Sequence, residues 1–255
     1  MENKYVIFID IDGTWTSGGK TDPENIIAVE KARSEGHYVF FNTGRSKAWI
    51  DPTHLENTPH DGLISGLGSL IEAGGKTVFE RPVPTGFVFE CIERFAKSSG
   101  TLLICGDKKV FSLNPLPYFK KYNVIEIKTA EDYKNTIGNE KIQKLEFFDV
   151  PVSDADRQFL KTTLNIYDFG DFKECCHKSC SKSGAMDIVL KFLKIDAKNS
   201  IAIGDSINDI DMLKKAGIAV AIGNAADPVK EIADFISTDC DSGGVAYAIN
   251  KIIFE

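Results

Sequence analysis

The chain has 255 residues, 43% of them hydrophobic, which suits one large domain or two modest ones. Its formal net charge of -7 disfavours nucleic acid and anionic membranes as partners. No stretch approaches the roughly 18 apolar residues of a membrane span. The apolar run after "MENK" is too short for a signal peptide, and six cysteines fall short of a disulfide scaffold, so a cytoplasmic protein with reduced thiols is expected.

The first third alternates strand and helix. Lys4 to Ile9 predicts a buried strand that runs into Asp10. "DPENIIAVEKARSEG" predicts a helix with Asp22 as N-cap, Pro23 in the first turn and Gly36 as stop, its apolar face formed by Ile26, Ile27, Val29 and Ala32. "HYVFFN" predicts a second buried strand, ending at "TGR". Near-continuous apolar strands with helices between them indicate a parallel sheet.

From about Pro84 to Cys180 the character changes. A helix, "TGFVFECIERFAKSSG", is followed by shorter strands such as "TLLIC" and "KLEFFDV", and by a second helix, "PVSDADRQFLKTTL". From Ser181 the first pattern returns: "SKSGAMDIVLKFL" as helix, "SIAIGD" as strand, "SINDIDMLKKAG" as helix, "IAVAIGNA" as strand, and "DPVKEIADF" as a helix capped by Asp227. The expected architecture is α/β: a Rossmann-like parallel-sheet core, residues 1–83 and 181–255, with an α+β cap inserted at 84–180.

In open α/β sheets, ligands bind beyond the carboxyl ends of the strands. Three predicted strands end in conspicuous polar groups: Asp10 with Asp12, Thr43 with Gly44 and Arg45, and Asp205 with Asn208 and Asp209. Neighbouring strands would make them converge. Carboxylates without His suit Mg²⁺, which also binds phosphate oxygens. Thr43 and amides near Gly44 could donate to a phosphate, and Arg45 and Lys182 could neutralise it. Each piece alone has a plain structural alternative, since an Asp-x-Asp pair is often a turn and "GDSIND" can be a helix start; their order along separate strands carries the argument.

These residues resemble the haloacid dehalogenase superfamily phosphatases, in the Cof-like branch with a large cap. "DIDGT" matches the first motif, "NTGR" the second, Lys182 in "SKSGA" the third and "GDSIND" the fourth; "AVAIGNAADPVKEIADFIS" and "SGGVAYAI" are also similar to that branch. The resemblance implies that Asp10 is the nucleophile, forming an aspartyl-phosphate, and that Asp12 is the general acid and then the general base. It implies Mg²⁺ held by Asp10, the Asp12 backbone carbonyl and Asp205, with Asp209 supporting that shell. Thr43 and Lys182 would grip the phosphoryl group, with Gly44, Arg45 and Asn208 beside them. The implied activity is hydrolysis of a small phosphorylated metabolite, a sugar phosphate favoured, with a phosphomutase or phosphotransferase, or a non-catalytic binding protein, as alternatives. The cap residues that meet substrate, among which Lys108, Lys109, Phe111, Tyr118 and Phe119 are candidates, and the oligomeric state stay open.

Several departures from the branch stand out. Trp15 replaces a small aliphatic residue and is read as a packing residue. "SGLGS" at 65–69 and Ser183 are also unusual. "CCHKSC" at 175–180 offers Zn²⁺ ligand types, but adjacent Cys175 and Cys176 diverge in an extended chain, so the segment is read as a hinge strand re-entering the core. His37, His54 and His60 show no partner pattern.

Overall fold

Val6–Ile9 is fully buried and pairs in parallel on both edges, with Ser200–Gly204 on one side and Tyr38–Asn42 on the other. The structure, a computed structural model, describes residues 4–55 and 58–255. Met1–Asn3 of the N-terminal run and the His54 side chain lie outside that description. The central pair extends to an eight-stranded sheet in the order Phe235–Ile236, Ile218–Ala221, Ser200–Gly204, Val6–Ile9, Tyr38–Asn42, Gly62–Ser65, Leu70–Ala73 and Lys76–Glu80. The first six run parallel, and the last two add as an antiparallel edge.

Alternation along the central strand builds the two layers of the core. Ile7 and Ile9 pack on one face with Ala28, Val29 and Ala32 of the Pro23–Ser34 helix and with Val245, Ala246, Ala248 and Ile249. Val6 and Phe8 pack on the other with Met186, Val189 and Leu190 of the Lys182–Leu193 helix and with Met212 and Leu213. Each such fully buried large apolar side chain contributes roughly 1.5–3 kcal/mol. Trp15 is fully buried, edge-on to Phe41 at 5.0 Å, which confirms it as a packing residue.

Two local expectations change. Ile27 is 55% exposed, and the face of the first helix that turns inward is Asn25, Ala28, Val29 and Ala32. Asn25 belongs there because its Oδ1 accepts from the Ala246 amide, fixing the C-terminal helix. Asp227 does not cap its helix: Ala226 holds the cap position without a side-chain bond, and Asp227 opens the first turn, where its charge favours the positive helix end.

Between the edge strand and the Lys182–Leu193 helix lies a second, six-stranded sheet. Its order is Val124–Ile127, Val110–Leu113, Thr101–Gly106, Ile142–Phe148, Phe172–His177, Leu164–Asp168. One face carries Leu102, Ile104, Phe111, Leu145, Phe147 and Cys175 against helices Thr85–Phe95, Ala130–Ile137 and Asp154–Lys161. The other face carries Leu103 and Cys105, which pack with Phe119 and with Trp49 from the loop after "TGR". Trp49 meets Phe119 and Tyr122 with ring centroids 6.0 and 5.2 Å apart. Of the candidate cap residues, Phe111 therefore faces the helices and Phe119 faces Trp49, while Tyr118 and both Lys108 and Lys109 are exposed.

Candidate active site

Strand register explains why distant residues meet. Ile9 sits opposite Ile203 on one side and Phe41 on the other. Asp10 follows directly, and Asp205 and Thr43 two residues on, so all three leave the sheet at the carboxyl ends of adjacent strands. The loop after Ser200–Gly204 is held by a capping box in which the Ser206 hydroxyl and the Asp209 carboxylate serve each other's backbone amides. Lys182 enters from the opposite layer as the first residue of a helix capped by Ser181, whose hydroxyl accepts from the Gly184 amide. Ser183, the unusual neighbour of that lysine, donates to Asp211 Oδ2 at 2.9 Å.

The Lys182 ammonium is fully buried and donates to Asp10 Oδ1 at 2.5 Å and to Asp209 Oδ1 at 2.7 Å. Asp209 Oδ2 in turn accepts from the Asp205 and Ser206 amides. Asp205 Oδ1 accepts from the Thr14 hydroxyl at 2.7 Å. Carboxylate oxygens of Asp10, Asp205 and Asp209 lie within 4.8 Å of one another. Burial pushes Asp10 well above the ordinary aspartate range; Lys182 opposes the shift, and Asp209 and Asp205 add to it. Burial and the Asp209 charge push Asp205 up to about 6. Lys182 goes the other way: burial works against its charge, but Asp10 and Asp209 outweigh burial and hold it protonated.

Three carboxylates therefore cluster at one ammonium, which bonds two of them, and a cation would relieve the excess of negative charge. The donors are hard oxygens without nitrogen or sulfur, a set that fits Mg²⁺. Both Asp209 oxygens already have partners, whereas Asp10 and Asp205 each keep an oxygen with no hydrogen bond among the described residues. Gly13 completes the wall: its φ is +83°, and a Cβ there would stand 2.5 Å from Asp205 Oδ2.

Asp12 turns away from this cluster. Arg45 grips its carboxylate with two hydrogen bonds, Nε to Oδ2 at 2.6 Å and Nη2 to Oδ1 at 2.7 Å. Thr43 is buried, its hydroxyl accepting from the Arg45 amide, and Gly44 follows beside Asn208.

The sequence reading missed the insert's contribution. Glu174, on Phe172–His177, accepts from Asn208 Nδ2 at 3.0 Å and pairs with the buried Lys144 at 2.5 Å. Burial opposes ionisation of Glu174, but the Lys144 charge and its hydrogen bonds from Lys144 and Asn208 hold its pKa below the ordinary value. The signal was present in "KLEFFDV", where Lys144 and Glu146 occupy alternate positions beside Leu145, Phe147 and Phe148 of a buried strand. Also missed were Thr14 and Asn224, whose Nδ2 donates to the Gly13 carbonyl.

Cys175 and Cys176 lie on opposite faces of their strand, one among the cap-helix cluster and the other with Leu67 and Cys180. They cannot ligate one ion together, and His177 pairs with Ser179 at 2.8 Å. The segment runs as a strand back toward Lys182. The "SGLGS" serines bind the insert's Ile142–Phe148 strand: Ser65 donates to Gln143 Oε1 and Ser69 to the Gln143 carbonyl. His37 accepts from the Tyr5 amide, and His60 stacks edge-on against Phe41.

A family profile described as haloacid dehalogenase-like hydrolase matches residues 7–249. The chain belongs to that family. YkrA of Bacillus subtilis (strain 168) is 28% identical over 259 residues, covering 99% of this chain and 98% of that one. The 5-amino-6-(5-phospho-D-ribitylamino)uracil phosphatase YcsE of the same organism is 30% identical over 267 residues, 96% of this chain and 94% of its own. Among solved structures, the haloacid dehalogenase subclass IIB sugar phosphatase BT4131 superposes with a TM-score of 0.82 at 24% identity, covering 97% of this chain and 98% of that one. This haloacid dehalogenase-like hydrolase is a phosphatase by family, with the parallel-sheet core and inserted cap of that fold. No helix among its described residues is long and apolar enough to cross a membrane.

Proposed function

We propose that the protein is a Mg²⁺-dependent phosphatase that hydrolyses a small phosphorylated metabolite, a sugar phosphate above others, through an aspartyl-phosphate on Asp10. The observation that carries this reading is the convergence of Asp10, Asp205, Asp209 and Lys182 at one strand edge, with Asp12 turned outward onto Arg45. The names of YcsE and BT4131 support the choice of a ribityl or sugar phosphate over a protein substrate.

In this reading Asp10 attacks phosphorus through a carboxylate oxygen, and the bond from phosphorus to the leaving oxygen breaks. Asp12 gives that oxygen its proton, so the product leaves as an alcohol. Asp12 then accepts a proton from water as the water attacks the acyl phosphate, which frees inorganic phosphate and restores Asp10. Lys182, Thr43 and the Gly44 amide offset charge on the transferring oxygens, with Asn208 beside them. Arg45 orients Asp12. Mg²⁺ held by Asp10, the Asp12 carbonyl and Asp205, with Asp209 in support, would neutralise charge on the phosphoryl group.

Residues 84–180 act here as a cap over the site, and residues 1–83 and 181–255 as the catalytic core. The second connection of the insert ends just before Lys182, and the first is tied to the insert where the Val83 amide donates to the Ile142 carbonyl. Such a cap excludes water and large substrates. A cytoplasmic setting belongs to the same reading, and the six free cysteines suit a reducing compartment.

The test is phosphate release from a panel of sugar, polyol, nucleotide and cofactor phosphates with Mg²⁺. Preferential turnover of a sugar or polyol phosphate is expected; comparable efficiency on a folded phosphoprotein would defeat the cap's role, and inertness across the panel would defeat the enzymatic reading.

A further inference from the structure

The face of the insert's sheet that looks away from its own helices carries ionisable groups where apolar ones would pack more favourably. Lys144, Glu146 and Glu174 are 1%, 8% and 8% exposed. The Lys144 ammonium lies 2.5 Å from Glu146 Oε1 and 2.5 Å from Glu174 Oε1. Buried ion clusters of this kind contribute little net stability, because desolvation cancels much of the attraction. One ammonium between two carboxylates leaves one negative charge over. Glu174 is the member that reaches the core: it accepts from Asn208, and a Cβ on Gly44 would stand 3.1 Å from its Oε2.

We propose that Glu174 is a specificity-determining residue of this phosphatase. Its carboxylate accepts a hydrogen bond from a hydroxyl or amine on the leaving group, and it repels leaving groups that carry a second anion. Lys144 is the positioning residue that holds Glu174 in place. The inference rests on the reading above, in which Gly44 and Asn208 flank the phosphoryl group. A carboxylate there cannot help to bind the phosphate, since like charges in a poorly hydrated wall repel. It suits a neutral donor next to the phosphate, because hydrogen bonds to an ionised acceptor are the strong ones. A site built to bind such a donor also discriminates against esters that lack it. Phosphorylated polyols fit this description, and phosphorylated carboxylic acids do not.

The experiment compares kcat and KM of the wild type and Glu174→Gln, with Mg²⁺, on three esters. Glycerol phosphate offers hydroxyl donors, phosphoglycolate a second anion, and nitrophenyl phosphate neither. With the aryl ester as reference, Glu174→Gln is expected to lower relative kcat/KM for glycerol phosphate at least tenfold, chiefly through KM. Relative kcat/KM for phosphoglycolate is expected to rise at least fivefold. Equal losses on all three esters would mean a structural role and overturn the proposal, as would unchanged ratios. If Glu174→Gln does not fold, Glu174→Asp decides: it keeps the charge but shortens the reach, so the polyol preference should fall while the bias against phosphoglycolate stays. A wild type inert on all three esters would overturn the parent reading, and this inference with it.

Discussion

Arg45 holds Asp12 through both arms of its guanidinium, at 2.6 and 2.7 Å, and donates a further hydrogen bond to the Trp49 carbonyl at 3.1 Å. Trp49 is the residue that packs against Phe119 and Tyr122 of the insert. One side chain thus links the proposed general acid to the loop on which the insert rests.

Removing that grip should misplace the acid without removing it. Arg45→Ala is expected to lower kcat for an alkyl phosphate by about 10–100-fold, less than the ~10²–10⁴-fold that positioned proton transfer contributes, because the acid is misplaced rather than removed. Nitrophenyl phosphate, whose leaving group needs little protonation, should lose less. Single-turnover rates on the two esters check this, and equal losses would contradict the orienting role.

Asp10→Asn keeps the shape at the end of the Val6–Ile9 strand but abolishes nucleophilicity. Steady-state phosphate release should fall at least about a thousandfold, about 4 kcal/mol in barrier. Thermal melting should show a folded protein. Release within a factor of ten of wild type would reassign the nucleophile.

Chelation by EDTA should stop turnover, and added Mg²⁺ should restore it. Asp205→Ala removes one of the two carboxylates with an uncommitted oxygen, so the Mg²⁺ concentration for half-maximal rate should rise at least about tenfold. A titration of rate against free Mg²⁺ measures this. Full activity after exhaustive chelation would rule out the metal dependence.

Trp15 is fully buried beside Phe41 at the turn that leaves Asp12. Trp15→Ala leaves a cavity and should cost about 3–5 kcal/mol. A lower urea midpoint with an unchanged slope would show it; a midpoint within 0.2 M of wild type, on the order of the ~0.5 kcal/mol typical of surface changes, would mean that the packing is dispensable.

Much of this was open to local reading. The buried strands Val6–Ile9, Tyr38–Asn42 and Ser200–Gly204 are apolar runs broken by polar residues, and the caps at Asp22 and Ser181 are short-range chemistry. Asp10, Asp12, Thr43 and Asp205 follow the ends of such strands and Lys182 opens a helix, so their places along the chain marked them as candidates, and the motif resemblance supplied their roles. The exposed Ile27 was misjudged for a related reason: a helix between two partners selects its inward face by where the neighbouring helix lies, and Asn25 won a place through its bond to Ala246.

What the chain by itself determined is therefore the list of strand ends and their chemistry, because burial period, caps and turns depend on residues within a few positions. Only the tertiary structure decided which of those groups touch. The bond between Asp12 and Arg45 spans 33 positions, that between Lys182 and Asp10 spans 172, and that between Glu174 and Asn208 spans 34 and crosses from the insert to the core. Such contacts follow from strand order and from the packing of two sheets. A carboxylate in the middle of a cap strand carries no local sign of whether it faces solvent, a helix or the loop that would hold a phosphate.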